Sequence, residues 1–155
     1  MSLESVRDWL GEHAPDVAII EMAQSTATVM EAAATLGVEP GRIAKTLAIR
    51  VKDEVLLLVT RGDARLDNAK TKAEFGGRPR MLDPEETLAL TGHAVGGVCP
   101  FGLASDLPIC CDRTLEVYDT VFPAAGSLNS SVELTPARLA ALTRARWVDI
   151  SRLPE

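Results

Sequence analysis

The sequence has few of the residues that build disulfide frameworks, metal sites or membrane spans. Only three of its 155 residues are cysteine, and because Cys110 and Cys111 are adjacent while Cys99 stands apart, we expect no disulfides. The two histidines, His13 and His93, lack the spacing of metal ligands, so no metal and no cofactor are expected. No apolar run approaches the roughly 20 residues that cross a bilayer, which predicts a soluble protein without a membrane partner.

The sequence also lacks the features of a secreted or multidomain chain. Its first 13 residues carry acidic side chains and no long apolar stretch, so we expect no signal peptide and a cytoplasmic location. A chain of this length fits one domain that buries roughly 70% of its unfolded surface. No linker or internal repeat is visible, so a single domain over residues 1–155 is predicted.

The charge is acidic overall but unevenly distributed. The net charge is −6, yet residues 42–80 contain ten Lys or Arg against five Asp or Glu, a local balance of +5 that leaves −11 for the rest. Such asymmetry permits a local basic face that meets a few phosphates, and it disfavours wrapping around a long duplex. A solvated surface of a helix and a hairpin explains the same charges equally well.

Capping residues and hydrophobic spacing predict five helices. We expect the first to begin at Ser2 and end near Gly11, and the second to be capped by Ser25 or Thr26 and to end at Gly37. The other three are expected to begin at three strong start signals: Asp67 with an end after Phe75, Asp83-Pro84, and Thr135-Pro136.

Short apolar, β-branched segments predict the strands. The expected segments are 17–20, Ile43–Val51, 54–60, 107–111, 120–122, 131–134 and 147–150. The second and third flank a turn at Lys52-Asp53, so a hairpin is expected, which excludes an all-parallel sheet. The fold class is therefore α/β (α+β): one domain with a mixed, mostly antiparallel sheet and surrounding helices.

The usual catalytic signatures are absent from the sequence. It has no GxSxG elbow, no Walker loop, no HExxH and no glycine fingerprint for dinucleotides. A serine triad would have to use His93 as its base, and a single histidine beside a glycine-rich loop is more typical of a structural residue. These absences disfavour triad and metal hydrolases.

Two features have both a structural and a functional interpretation. Glycines at 96 and 97 let backbone N–H groups approach a ligand, and Pro100 stiffens the loop, so the N–H groups of this loop could stabilise an oxyanion. A tight connection between strands has the same composition. Lys45, near the start of a strand, either extends its ammonium to solvent or directs it at a phosphate or carbonyl. Cys99 has no base adjacent in sequence, which disfavours a nucleophilic role.

Considered together, several segments resemble the YbaK/ProX family of aminoacyl-tRNA editing domains, which also occurs as the insertion domain of bacterial prolyl-tRNA synthetase. Each segment is weak alone, but their order and spacing are specific and cover nearly the whole chain. They are residues 25–26, Ala33, 36–37, 43–47, 62–63, 66–67, Lys70, 92–102, 125–126 and 132–134.

The resemblance implies a YbaK-like fold and hydrolysis of the ester that joins a wrong amino acid to tRNA, most often the tRNA for proline, without a metal or a covalent intermediate. It implies that Lys45 anchors the terminal adenosine or the ester, and that the GxxxP loop from Gly96 to Pro100 orients the carbonyl. The ribose hydroxyl of the substrate is expected to assist the attacking water. An activated ester needs mainly positioning and oxyanion stabilisation, which fits a chain without a triad.

The predicted site has two groups of residues. The catalytic group is Lys45, Gly96, Gly97 and Val98; the substrate-binding group is Ser25, Thr26, Thr46, His93, Cys99, Pro100, Gly126, Asn129 and Ser131. Residues 127–131 contain no acid or histidine, so alanine, 2-aminobutyrate, cysteine, serine and threonine all stay open as substrates, and proline should be rejected.

Two alternatives belong to other classes. One is a non-catalytic module that binds the CCA end of tRNA or a nucleotide, or that regulates a synthetase. The other is a hydrolase that uses Cys99 as its nucleophile. The expected partners are the acceptor end of aminoacylated tRNA and prolyl-tRNA synthetase, and the sequence leaves the oligomeric state undetermined.

Overall fold

The computed structural model describes residues 2–154 and contains five α-helices in that range. They are α1 (Ser2–His13), α2 (Val29–Leu36), α3 (Asn68–Phe75), α4 (Pro84–Thr91) and α5 (Pro136–Thr143). Two 3-10 helices, Pro40–Arg42 and Arg113–Val117, lie in connections. None of these helices is long and apolar enough to cross a membrane.

Most helix ends follow the predicted capping residues. The side chains of Asp67, Asp83 and Thr135 accept hydrogen bonds from the third amide of their helices, and Gly37 ends α2 in the left-handed conformation. Two predictions were wrong in detail.

The first helix continues past its expected end at Gly11 to His13, and the cap of α2 is Thr28 instead of Ser25 or Thr26. Thr26 cannot cap because its segment is held elsewhere: its N–H donates to Leu128 O at 2.7 Å.

Ten strands form three sheets. They are β1 (Ile20–Glu21), β2 (Ile43–Val51), β3 (Glu54–Arg61), β4 (Arg65–Leu66), β5 (Arg80–Met81), β6 (Ile109–Asp112), β7 (Phe122–Pro123), β8 (Ser130–Ser131), β9 (Arg146–Val148) and β10 (Ser151–Arg152). The main sheet has the order β5-β2-β3-β6-β9, and β7 pairs with β2. The pairs β1-β8 and β4-β10 form the two small sheets.

The expected mixed sheet is confirmed. The β2-β3 hairpin is its longest ladder, and β2-β5 is also antiparallel, whereas β6 and β9 extend the sheet in parallel. Several expected strands are shorter and shifted towards the C-terminus: β1 covers 20–21 where 17–20 was expected, β6 covers 109–112 where 107–111 was expected, and β7 covers 122–123 where 120–122 was expected. Strand β8 covers 130–131 where 131–134 was expected, and β9 covers 146–148 where 147–150 was expected; β10 lies beyond that segment.

The core lies on both faces of β3. Leu57 and Val59 are fully buried in one hydrophobic cluster, and Leu58 is fully buried in a second cluster on the other face. A smaller third cluster joins α2 to Ile43 and Phe122. Because β3 is buried on both faces and paired on both edges, it fixes the position of its neighbour β2, which carries the predicted lysine.

Candidate functional site

A gap in the main sheet opens one edge of β2. Strand β7 pairs with β2 at residues 43–44 and β5 pairs with it at 49–50, both on the edge away from β3. Leu82 N–H donates to Ala48 O at 3.0 Å, and since alternate residues of a strand direct their backbone groups to the same edge, Thr46 presents its N–H and C=O to this gap. The gap therefore exposes hydrogen-bonding backbone between two paired regions.

A cavity of about 220 Å³ lies at this open edge. Its walls come from the start of α2 and the preceding turn, from β2, from the glycine-rich loop after α4, and from β7 and β8. The lining residues include Thr26, Val29, Ile43, Lys45, Thr46, Leu82, Val95, Gly96, Val98, Phe122 and Ser131. Six of the predicted site residues thus share one cavity.

Lys45 is the third residue of β2 and is partly buried in the cavity wall. Its Nζ donates a hydrogen bond to Ala64 O at 2.7 Å, which fixes the ammonium and leaves two of its three donors for a ligand. Burial lowers the pKa of Lys45 most, Asp63 opposes that change, and the nearby charge of Arg65 lowers the pKa further. An ammonium that burial has partly desolvated gains more from an anion or carbonyl than one in water does.

Lys45 is the only titratable side chain among the described residues that line the cavity. No carboxylate, histidine or cysteine of that set faces the space that a ligand would fill. Residues 2–154 also contain no group of His, Cys, Asp and Glu side chains able to hold a metal ion. The cavity thus offers a cation, hydroxyls and backbone groups.

The glycine-rich loop contributes Gly96 and Val98 to the cavity, but not Gly97. The N–H of Gly97 donates to Ala94 O at 3.0 Å, so it closes a turn and is not free for a ligand. Within residues 2–154 the amides of Gly96 and Val98 have no such partner. Of the three predicted loop residues, Gly96 and Val98 thus keep an amide without a partner in residues 2–154, and the amide of Gly97 serves the loop itself.

The backbone of Gly96 requires glycine. Its φ is +98°, and a Cβ built there would lie 2.6 Å from Leu128 Cδ2 and 3.3 Å from Ala27 Cβ. The loop is thus packed against the segment that precedes α2 and against the loop before β8. This packing holds Gly96 and Val98 across the cavity from β2.

Two predicted contact residues, His93 and Cys99, are fully buried behind the loop and do not line the cavity. The ring of His93 hydrogen-bonds through Nε2 to Phe101 O at 2.7 Å and through Nδ1 to the Ser2 hydroxyl, and burial lowers its pKa. Burial also raises the pKa of Cys99 to about 12, which leaves the thiol protonated. We therefore reassign both residues to holding the loop against α1.

Five residues with hydroxyl groups line the cavity, and three of them, Thr26, Thr46 and Ser131, are predicted site residues. Thr26 and Ser131 are almost completely buried, and Thr26 Oγ1 makes a long 3.5 Å bond to Ser130 O. Thr46 Oγ1 is buried and has no partner among residues 2–154. Buried polar atoms in proteins are usually paired, so this unpartnered hydroxyl in the cavity wall is an exception.

The remaining predicted residues lie outside the cavity. Ser25 accepts a hydrogen bond from the N–H of Ala27, and the Asn129 amide donates to Met22 O at 2.8 Å, so both stabilise turns. Gly126 has φ +94° and its Cα lies against Ser2 and Val6, where a side chain would collide with α1. Pro100 is buried and lines a separate groove beside Trp9. These four support the site from behind.

Sequence reasoning missed several contributors. The Ala64 carbonyl that holds Lys45 carries no side-chain signal, and the apolar walls Val29, Leu82 and Phe122 resemble ordinary core residues in the sequence. Only the pairing of β2 with two separate short strands brings them together, and such pairing is not encoded locally.

Comparisons with known proteins agree with this architecture. The sequence-family model described as "Aminoacyl-tRNA editing domain" matches residues 23–142. YwhH of Bacillus subtilis (strain 168) is 46% identical over 98% of both chains. A protein of Enterococcus faecalis (strain ATCC 700802 / V583), "Putative Cys-tRNA(Pro)/Cys-tRNA(Cys) deacylase EbsC", is 31% identical over 77% of this chain and 74% of its own length. A solved structure described as a "putative trans-editing enzyme for prolyl tRNA synthetase" superposes with a TM-score of 0.90 at 35% identity, covering 97% of both chains.

Proposed function

The chain belongs to the family of aminoacyl-tRNA editing domains, and from this premise we propose that it is a deacylase that hydrolyses the ester of mischarged tRNA. The observation that carries the proposal is the cavity at the open edge of β2. There Lys45 is the one titratable side chain of the described lining, and two free loop amides lie opposite. An activated ester requires positioning more than a strong protein base.

Lys45 acts as the anchor in this proposal. Its ammonium is already fixed by Ala64 O, so binding a substrate oxygen costs little further ordering of a long side chain. It attracts the partial negative charge of the ester or of the terminal adenosine. The cavity lining that the structure describes has no acid to neutralise this charge.

The two free amides of the loop, Gly96 and Val98, stabilise the developing oxyanion. Water attacks the ester carbonyl carbon and gives a tetrahedral intermediate whose oxyanion accepts from these donors. The bond from carbon to the ribose oxygen then breaks, the ribose oxygen takes up one proton of the water, and the amino acid leaves as its carboxylate while the second proton passes to solvent. The adjacent ribose hydroxyl orients the water and relays its proton, since the described lining of the cavity has no carboxylate or histidine to act as a general base.

The amino acid is a small one carried by proline tRNA. A cavity of about 220 Å³ with walls at Val29, Leu82 and Phe122 limits the side chain it accepts. Hydroxyls of Thr26, Thr46 and Ser131 offer hydrogen bonds to an amino or side-chain group. The candidates are alanine, 2-aminobutyrate, cysteine, serine and threonine, and the pocket would act as a second sieve after a synthetase that cannot exclude them.

A panel of charged tRNAs tests the proposal. Proline tRNA carrying each of the five candidates, or proline itself, is incubated with the protein, and release of the amino acid is followed against buffer. We expect faster release of at least one small amino acid and none of proline. Lys45→Ala should lower kcat/KM by about 100-fold, the loss expected when a charged hydrogen bond of roughly 3 kcal/mol is removed.

Matched variants give the panel its controls. Lys72→Ala removes an exposed lysine of α3 that forms no ion pair in the described chain and should retain full activity. Cys99→Ala should keep most activity, because a buried thiol with a pKa of about 12 is no nucleophile; loss with Cys99→Ala alone would favour the cysteine hydrolase. Saturable binding of the tRNA end without any release would contradict deacylation and favour the non-catalytic module.

A further inference from the structure

A second cavity, of about 430 Å³, lies beside the small sheet β4-β10. It is lined by Asp63, Arg65, Arg152, Leu153 and Pro154. Nothing in the deacylation chemistry described above uses these residues.

The two arginines stand directly opposite each other. Arg65 and Arg152 are cross-strand partners in the antiparallel pair β4-β10, so their side chains lie on the same face and close together. Like charges in this position destabilise a strand pair. Neither arginine forms an ion pair within the part of the chain that is described, whereas Arg61, Arg42, Arg50, Arg138 and Arg146 all do.

The one acid in this cavity does not compensate the two arginines. Arg61 holds Asp63 with two hydrogen bonds, Nε to Oδ1 at 2.9 Å and Nη2 to Oδ2 at 2.7 Å. This fork-shaped pair neutralises the carboxylate. The cavity therefore keeps the charge of both arginines.

The cavity lies near Lys45 of the candidate active site. Ala64, whose carbonyl holds Lys45, lies between Asp63 and Arg65 in the chain. The charge of Arg65 is near enough to lower the pKa of Lys45. The arginine pair is therefore close to the ammonium of Lys45.

We propose that Arg65 and Arg152 form a phosphate-binding site that holds the phosphodiester backbone of the single-stranded tRNA acceptor end while its ester lies at Lys45. The planar guanidinium group suits a phosphate, and two of them side by side match two neighbouring phosphodiesters. The repulsion between the arginines is relieved when the anion binds. The inference rests on the proposed deacylase function for the identity of the ligand.

Binding of uncharged proline tRNA, measured by fluorescence anisotropy at several salt concentrations, tests the site. The variant is Arg65→Gln/Arg152→Gln. For single strands each phosphate contact contributes about 0.7 to the slope of log K against log salt, so the double variant should reduce the slope by about 1.4. This predicts affinity weaker by about fivefold per arginine, or about 25-fold for both, at roughly 0.1 M salt.

Arg144→Gln is the matched control. Arg144 is exposed, has no ion pair among the described residues and lines neither this cavity nor the one at Lys45. It should leave the slope and the affinity unchanged. The double variant should also unfold at the same or higher denaturant concentration than wild type, since a repulsive pair is removed, so that weaker binding cannot be attributed to misfolding.

A substrate without phosphates separates this proposal from the proposed function. An aminoacyl adenosine, which keeps the ester but lacks phosphates, should be hydrolysed equally by wild type and the double variant. An unchanged salt slope in the double variant, or equal weakening by Arg144→Gln, would overturn the phosphate site. Changed binding with no hydrolysis by wild type would instead leave the site intact and reject the deacylase.

Discussion

At the scale of single residues, the wall of the candidate site contains the adjacent pair Lys45 and Thr46. Alternation along β2 sends their side chains to opposite faces, yet both line the cavity because the edge of the strand is open there. Lys45 has a partner in Ala64 O, and Thr46 Oγ1 has none among residues 2–154. An unsatisfied buried hydroxyl lowers stability, and we propose that a bound substrate supplies its missing partner.

Replacing Thr46 by valine should lower activity without lowering stability. Thr46→Val removes an unpaired hydroxyl and keeps the branched shape, so the free energy of unfolding should stay constant or rise by about 1 kcal/mol. The deacylation kcat/KM should fall about tenfold, the equivalent of one hydrogen bond of roughly 1.4 kcal/mol. Chemical denaturation and the charged-tRNA assay give the two values.

Thr87→Val is the control for this prediction. Thr87 also lines the cavity, but its hydroxyl donates to Asp83 O at 2.8 Å inside α4. Its loss should therefore lower stability by about 1 kcal/mol and leave kcat/KM nearly unchanged. Unaltered activity in Thr46→Val would show that its hydroxyl makes no contact with the substrate.

At the scale of elements, the helix starts could be predicted from the sequence, whereas the short strands could not. The starts at Asp67, Asp83 and Thr135 were predictable because a cap bonds to an amide of its own first turn. Strands β4, β5 and β10 were missed because a two-residue strand exists only through its distant partner. The open edge of β2, and with it the site, follows from those short pairings.

The glycine-rich loop was likewise predicted only in part. Its glycines indicated close backbone approach, and Gly96 does have a positive φ in the cavity wall. The sequence could not show that the Gly97 amide is used by Ala94 O, or that His93 and Cys99 are directed into the core. Residue type alone does not reveal whether a loop residue faces the ligand or the protein.

Adding one methyl group at Gly96 should displace the loop and lower both stability and activity. Gly96→Ala forces alanine into φ +98° and against Leu128, so the loop must shift, and we expect a loss of stability of about 1–3 kcal/mol. The kcat/KM should fall at least tenfold because the amides of Gly96 and Val98 move away from the ester.

Gly11→Ala provides the comparison for Gly96→Ala. Gly11 lies within α1 and a Cβ there meets no atom within 4 Å, so alanine should raise stability by roughly 0.5–1 kcal/mol without affecting hydrolysis. Thermal unfolding and single-turnover release measure both effects. Full activity in Gly96→Ala would contradict the role of the loop in positioning the carbonyl.

At the scale of the whole molecule, charge limits how strongly the chain alone can bind tRNA. The net charge is −6, and the basic segment 42–80 is partly neutralised by ion pairs such as Arg50–Glu86 and Lys70–Asp149. Few cations close to the cavity stay unpaired in the described structure, chiefly Lys45, Arg65 and Arg152. So few unpaired cations can contact the phosphates of the acceptor end but not those of the whole tRNA body.

Delivery by prolyl-tRNA synthetase should therefore speed deacylation. If the synthetase holds the tRNA body, the editing domain meets the ester at a raised effective concentration, and KM should fall about tenfold or more while kcat stays the same. Deacylation of mischarged proline tRNA is measured at about 0.15 M salt, with and without a synthetase that has no editing activity of its own. The synthetase mixed with Lys45→Ala should release no amino acid above background, which assigns hydrolysis to this chain. An unchanged KM would mean that the acceptor end alone provides recognition, and the arginine pair would then carry most of the affinity.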